Sequence, residues 1–240
     1  MGIPVIIYGK SGSGKSRSLK NFEETEICLI NVEGKSLPFR HTFKYTMKAD
    51  DVNVILSAIR KLPPTVKTIV IDDAGYIMTH YFMKNHRNMK GNAQFDMYNQ
   101  MADDMCTLIN GIKDLPDDYI VYLVFHEETS DYGDTKLLTI GKLLDQKAPL
   151  IGMVTISLRC MSDGGRHFFR TVTDGSDITK VPEELFDSEE IENDLKYVDQ
   201  KIREYYYLEV KNGGTETART NGAKVRKADS NKADGKLSGK

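Results

Sequence analysis

Gly9-Lys10-Ser11-Gly12-Ser13-Gly14-Lys15-Ser16 is the stretch on which the reading of this chain turns. It matches G-x-x-x-x-G-K-[ST] at every fixed position. Glycines let such a loop bend so tightly that its backbone N–H groups converge on phosphate oxygens. Lys15 then supplies charge to the β/γ oxygens, and the Ser16 hydroxyl is a ligand for Mg²⁺. The context agrees, because the apolar run Pro4 to Tyr8 precedes the loop and Ser16 to Phe22 is expected to open a helix. With Arg17 as the next residue, these positions form the candidate nucleotide site, with ATP and Mg²⁺ as the expected cofactors.

A phosphate loop needs a second carboxylate strand to hold the metal's water shell. Thr68-Ile69-Val70-Ile71-Asp72-Asp73 supplies an apolar strand that ends in acids, and Asp72 is the expected Mg²⁺ partner of Ser16. Hydrolysis also requires a group that orients or deprotonates the attacking water. Glu33, at the end of the run Ile27 to Val32, and Asp73 are both candidates. His126 closes the run Val121 to Phe125, where a polar side chain is placed to touch a terminal phosphate.

Outward from these motifs, short β-rich runs alternate with amphipathic segments, the pattern of an α/β sheet covered by helices on both faces. Strands are expected at Pro4 to Tyr8, Ile27 to Val32, Thr68 to Asp72, Ile120 to Phe125 and Val154 to Arg159. Asp51 is a cap for a helix carrying Val52, Ile55, Leu56 and Ile59 that ends before Pro63-Pro64. A second helix carries Phe95, Met101, Met105, Leu108 and Ile112. His167 to Val172 and Ile178 to Val181, around Thr173-Asp174-Gly175-Ser176, are read as a C-terminal β-hairpin. Residues 188–208 are read as a helix with Ile191, Leu195, Val198, Ile202 and Tyr205 on one face. One domain is expected over residues 1–210. A basic tail over 211–240, with almost no large apolar side chain, is expected to stay flexible.

Composition narrows the classes further. Hydrophobic residues make up 40% and charged residues 28% of the 240 positions, the balance of a globular protein. No apolar run approaches the roughly 20 residues needed to cross a bilayer. The first eight residues lack the features of a signal peptide. Cys28, Cys106 and Cys160 are too scattered for a disulfide framework or a zinc site, and a cytoplasmic setting is expected. With a formal net charge of −2 the chain offers no overall field for nucleic acid, so any such contact must be local.

The ordered motifs resemble the RecA-like P-loop ATPases, most closely the phage-encoded group classed among AAA-family ATPases and related to single-strand annealing recombinases. The resemblance spans roughly residues 3–207. It is carried by Tyr8 to Ser16, Ile30-Asn31-Val32-Glu33-Gly34-Lys35, Ile69 to Asp73, Phe125-His126-Glu127, Ile140-Gly141-Lys142 and Ile191-Glu192-Asn193-Asp194-Leu195. It implies a RecA-like, mostly parallel sheet, Glu33 as the catalytic glutamate, and His126 as the γ-phosphate sensor, where recombinases often have Gln. It also implies a homo-oligomeric ring or filament in which a neighbour's basic residue completes the site, with Lys142 a candidate by position.

Single strands are held by aromatic platforms and cations together. Tyr81, Phe82, Lys84, Arg87 and Lys90 interleave in this way, within Tyr76 to Lys90 directly after the Asp72 strand. Single-stranded DNA is therefore the expected partner, in phage recombination or replication, with the tail as an auxiliary basic arm. The region Glu127 to Lys136, where the resemblance places a second DNA loop, is acidic. A nucleotide-dependent adaptor such as a helicase loader, with slow hydrolysis, is the alternative. A small-molecule or nucleotide kinase is disfavoured because residues 127–148 contain no Arg for a lid.

Overall fold

The computed structural model describes residues 1–88 and 90–208. The tail expected at 211–240 lies outside the described residues. The chain builds an α/β domain around one large, mostly parallel sheet. Its strands are β1 (Ile3–Gly9), β2 (Ile27–Asn31), β3 (Tyr45–Met47), β4 (Thr68–Asp72), β5 (Ile120–Thr129), β6 (Thr135–Leu137), β7 (Ile156–Asp163), β8 (Arg166–Arg170) and β9 (Glu190–Glu192). The order across the sheet is β3-β2-β4-β5-β1-β7-β8-β9, with β6 paired to the end of β5. Strands β1 to β5 and β7 run parallel, whereas β8 and β9 extend the edge by antiparallel pairing.

Both faces of the sheet are buried, which explains why the central strands read as unbroken apolar runs. Along β1, Ile6 and Tyr8 face one core and Val5 and Ile7 the other, all at 0–1% exposure. Burying one such side chain is worth roughly 1.5–3 kcal/mol, more than the ~1 kcal/mol span of β propensity. Burial therefore sets these strands. The first core is covered by helices α1 (Val52–Arg60), α2 (Tyr76–Asn85) and α3 (Asn92–Lys113), and includes Leu144 of the short helix α4 (Lys142–Gln146). The second is covered by helix α5 (Leu195–Tyr205) and the turn after the phosphate loop.

Three expectations are corrected. Ser16 to Phe22 does not open a helix: only a 3-10 turn, Ser16–Leu19, forms. The Ser18 hydroxyl bonds the Lys15 carbonyl at 2.6 Å, a local side-chain bond of the kind that competes with helix. The hairpin lies earlier than read. Its strands are β7 and β8, joined by Gly164-Gly165 at φ 55° and 83°, the positive values a two-residue hairpin turn demands. Residues 173–176 form a loop in which Asp174 bonds Ser176, and Lys180 makes only a single bridge to Ser157. The late helix begins at Leu195, capped by Asp194, because residues 190–192 are taken by β9.

Asp51 caps α1 by accepting the Val54 N–H at 2.9 Å. Asp51→Ala is expected to cost about 1 kcal/mol in urea denaturation and Asp51→Ser much less, since Ser restores an acceptor.

Candidate functional site

Parallel pairing brings the carboxyl ends of the central strands to one edge of the sheet. Gly9 lies opposite His126, and Asn31 opposite Asp72. The phosphate loop leaves β1 at this edge. Gly9 admits no side chain, because a Cβ there would lie 2.3 Å from the Cys160 carbonyl oxygen. Gly12 and Gly14 hold φ of 79° and 107°. Lys15 is folded onto its own loop: Nζ donates to the carbonyls of Gly9 and Lys10, both at 2.8 Å, and lies 3.5 Å from Nδ1 of His126. Burial lowers its pKa, a shift opposed by the nearby charges of Asp73 and Asp72.

The Ser16 hydroxyl donates to Oδ2 of Asp72 at 2.8 Å, joining the two expected metal ligands. Asp72 is 5% exposed, and its Oδ1 is buried with no hydrogen-bond partner. Burial raises its pKa, Asp73 adds to the rise, and the Ser16 bond works against it. An unsatisfied buried carboxylate oxygen costs at least about 1–3 kcal/mol. A hard cation with oxygen ligands would relieve that cost, so hydroxyl and carboxylate fit Mg²⁺, with nucleotide oxygens and water completing its shell. No group of three or more His, Cys, Asp or Glu suited to a metal occurs among the described residues. When bound, such an ion neutralises charge on the β/γ oxygens.

Asp73 extends the site on the β4 and β5 side. It adopts φ 59°, uncommon for a residue with a side chain. Its Oδ2 accepts from Lys35 at 2.7 Å, and its Oδ1 lies 3.3 Å from Nε2 of His126. Burial alone would raise its pKa, but the contacts with His126 and Lys35 outweigh burial and hold it at about 2. Lys15, His126, Asp73 and Lys35 thus form one continuous chain of contacts. Glu33 stands outside it. Its carboxylate lies 2.9 Å from Nε2 of His80, whose Nδ1 lies 3.1 Å from Asp50, and Asp50 also binds Lys84.

The AAA domain family matches residues 1–180, which is 180 of the 240 positions and includes every residue of this constellation. The chain belongs to the AAA domain family. It is a nucleotide-binding ATPase domain of the AAA type, built on a P-loop. Comparison with curated proteins returns no match.

On the other flank of the AAA domain's phosphate loop, β7, β8 and the residue after β9 supply contacts that the sequence did not reveal. Nδ1 of His167 donates to the Ser13 carbonyl at 2.7 Å. The Cys160 thiol bonds that carbonyl at 3.2 Å and accepts from the Asn193 amide at 3.3 Å. Burial pushes the thiol up to about 11, so Cys160 packs and does not react. Arg17 donates to Oδ1 of Asn193 at 3.4 Å. Of these, Asn193 lay within a quoted motif; His167 carried no signal beyond its strand. Lys35 lay within a quoted motif and His80 within the stretch Tyr76 to Lys90, but neither was given these roles, because they arise from contacts 38 and 47 residues away.

The residues expected to bind nucleic acid differ in exposure. They lie on α2 and just beyond it. Tyr81 and Phe82 are partly buried against the core, and Phe82 stacks on His86 with centroids 4.9 Å apart. Lys84 is exposed but bridges to Asp50 at 2.7 Å; Arg87 and Lys90 are exposed. Lys142, the candidate trans-acting base, is exposed at the start of α4. No helix among the described residues is long and apolar enough to cross a membrane.

Lys15→Ala is expected to weaken ATP binding at least about tenfold, since a charge-assisted bond is worth about 1.5–3 kcal/mol. Asp72→Asn is expected to weaken binding with Mg²⁺ more than binding in EDTA. Titration calorimetry under both conditions separates the two effects, and equal loss for Asp72→Asn would make Asp72 structural.

Proposed function

We propose that this AAA-type domain hydrolyses ATP with Mg²⁺, using Glu33 as general base, and acts on single-stranded DNA in phage recombination or replication. The observation that carries the hydrolytic reading is the buried, unpartnered Asp72 oxygen beside Ser16, next to the Lys15, His126 and Asp73 chain. Between the two carboxylates, the engagement of Asp73 favours Glu33. Asp73 has both oxygens engaged, and a carboxyl held at about 2 is a poor proton acceptor near neutral pH. Its contacts suit it to hold His126 and Lys35 in place. Glu33 is about a third exposed, and His80 fixes one of its oxygens. The RecA-like resemblance supports the same choice. Glu33→Gln is expected to keep ATP affinity while slowing steady-state phosphate release about a hundredfold or more, and Asp73→Asn to slow it less. The reverse ranking in a phosphate-release assay would transfer the role to Asp73.

The DNA reading draws support from a groove between α3 and the segment 139–147. It has a volume of about 810 Å³ and is lined by Phe82, Phe95, Tyr98, Lys142 and Lys147 among others. Phe95 is 71% exposed, an unusual state for a large ring. Aromatic faces and ammonium groups together are what bases and phosphates require, and stacking is worth about 1–3 kcal/mol per base. Phe95→Ala is expected to weaken binding of a fluorescent oligothymidylate even at high salt, whereas Lys142→Ala with Lys147→Ala removes mainly the salt-sensitive part. No oligonucleotide binding and no DNA-stimulated hydrolysis at low salt would favour the nucleotide-dependent adaptor.

A further inference from the structure

The peptide that joins Ser13 to Gly14 is held from one flank of the phosphate loop. Its carbonyl accepts from Nδ1 of His167 at 2.7 Å and from the Cys160 thiol at 3.2 Å. A carbonyl can only accept, so Nδ1 carries the hydrogen. Burial pushes the thiol up to about 11, so near neutral pH it keeps the proton it donates. The Asn193 amide, donating to the same sulfur at 3.3 Å, fixes where the thiol sits. Both donors to Ser13 come from the β7 and β8 hairpin, which pairs with β1 on the side away from β5 and β4.

A trans peptide is planar, and its C=O and N–H point in opposite directions. Donors on the Ser13 carbonyl therefore turn the Gly14 N–H toward the other flank, where the strand order puts His126 and Asp72. That N–H meets no acceptor among the described residues, whereas the Ser13 N–H is spent on the Lys10 carbonyl at 3.2 Å. Gly14 also seats the imidazole. It holds φ at 107°, and a Cβ there would lie 2.8 Å from Nδ1 and 3.0 Å from Cγ of His167. The ring thus packs on a bare Cα, close enough to govern the peptide beside it.

Resting on the P-loop reading above, we infer that His167 is a positioning residue for phosphate binding: with Cys160 it fixes the Ser13–Gly14 peptide so that the Gly14 N–H faces the phosphate site before a nucleotide arrives. The imidazole itself touches no phosphate. A donor aligned in advance needs no reorganisation on binding, and that saving is what His167 contributes. Without it the peptide is free to turn, and the phosphate loses the alignment of one bond.

The surroundings of His167 decide which variants test this. A cavity of about 430 Å³ lies beside the loop, with His167 and residues 190–194 in its wall. In His167→Ala it gives water a path to the Ser13 carbonyl, and water would restore a donor. His167→Phe fills the space of the ring and supplies no donor, while His167→Asn places an amide N–H near the position of Nδ1.

Calorimetry on the full chain compares ATP with inorganic tripolyphosphate, which has the phosphates and no nucleoside. His167→Phe is expected to weaken both about tenfold, by factors that agree within about twofold, and His167→Asn to recover most of the loss. An Asn variant no better than Phe, a loss confined to ATP, or no loss would overturn the proposal while leaving the P-loop reading standing. The unaltered chain gives an independent readout should a variant fail to fold. Its Gly14 amide proton is expected to shift downfield in proton–nitrogen correlation spectra when tripolyphosphate is added, and a Gly14 resonance that stays in place with tripolyphosphate bound would likewise overturn the proposal. Failure of the unaltered chain to bind either compound would overturn the P-loop reading, and this one with it.

Discussion

The ammonium of Lys15, bonded at 2.8 Å to two carbonyls of its own loop, is the contact on which the rest of the site depends. It holds positive charge in a nearly buried position, where burial lowers its pKa and the nearby groups of Cys160, Asp73, Asp72 and Glu127 oppose the shift. A buried cation and a buried carboxylate with an orphaned oxygen, at one edge of one sheet, are costly separately. Each is relieved by the same ligand, a phosphate chain carrying a hard cation. That complementarity gives the family assignment its physical content: the domain stores, at one edge, the electrostatic demand that a metal nucleotide meets.

The chain of contacts from Lys15 through His126 and Asp73 to Lys35 extends that demand toward the surface. His126 lies beside Gly9 because β1 and β5 pair in register, and it meets Asp73 because β4 is the next strand. Through His126, Lys15 is thereby linked directly to β5 and, one contact further, to Asp73. Glu127, next after His126, is held by a two-pronged bond from Arg159 at 2.9 Å, so the start of the β5 hairpin is fixed.

The fold and the phosphate end of the site were legible in the sequence for a common reason. Continuous apolar runs mark strands buried on both faces, and the loop motif has fixed spacing, so β1, β4 and Asp72 could be placed without coordinates. Other features depend on information the chain does not carry locally. Two adjacent glycines, Gly164-Gly165, and the Asp174-Gly175 pair both look like turns, and pairing of β8 with β9 decides between them. The aromatic and basic spacing of α2 was visible, but spacing does not say that Phe82 stacks on His86 and that Lys84 binds Asp50. The His80 clamp on Glu33 is likewise a product of packing α2 over the ends of β2 and β4.

The cavity beside the phosphate loop depends on a part of the chain beyond the family match. Residues 190–194 close the cavity, and α5 follows them immediately. Helix α5 is tied to the sheet by Asp199, which accepts from Arg203 at 2.7 Å and from Thr68 and Tyr122 at 3.1 Å. Burial raises the pKa of Asp199 against the opposing pull of Arg203 and these hydrogen bonds. A buried acid so fully bonded contributes less to net stability than to choosing a single docking of its helix, because any other register leaves the charge unpaired. Thr68 begins the same strand that ends at Asp72, so one strand carries the partner of Ser16 at one end and the anchor of α5 at the other. The Ser16 partner and the segment 190–194 that leads into α5 are thereby linked through β4, although they lie on opposite flanks of the phosphate loop.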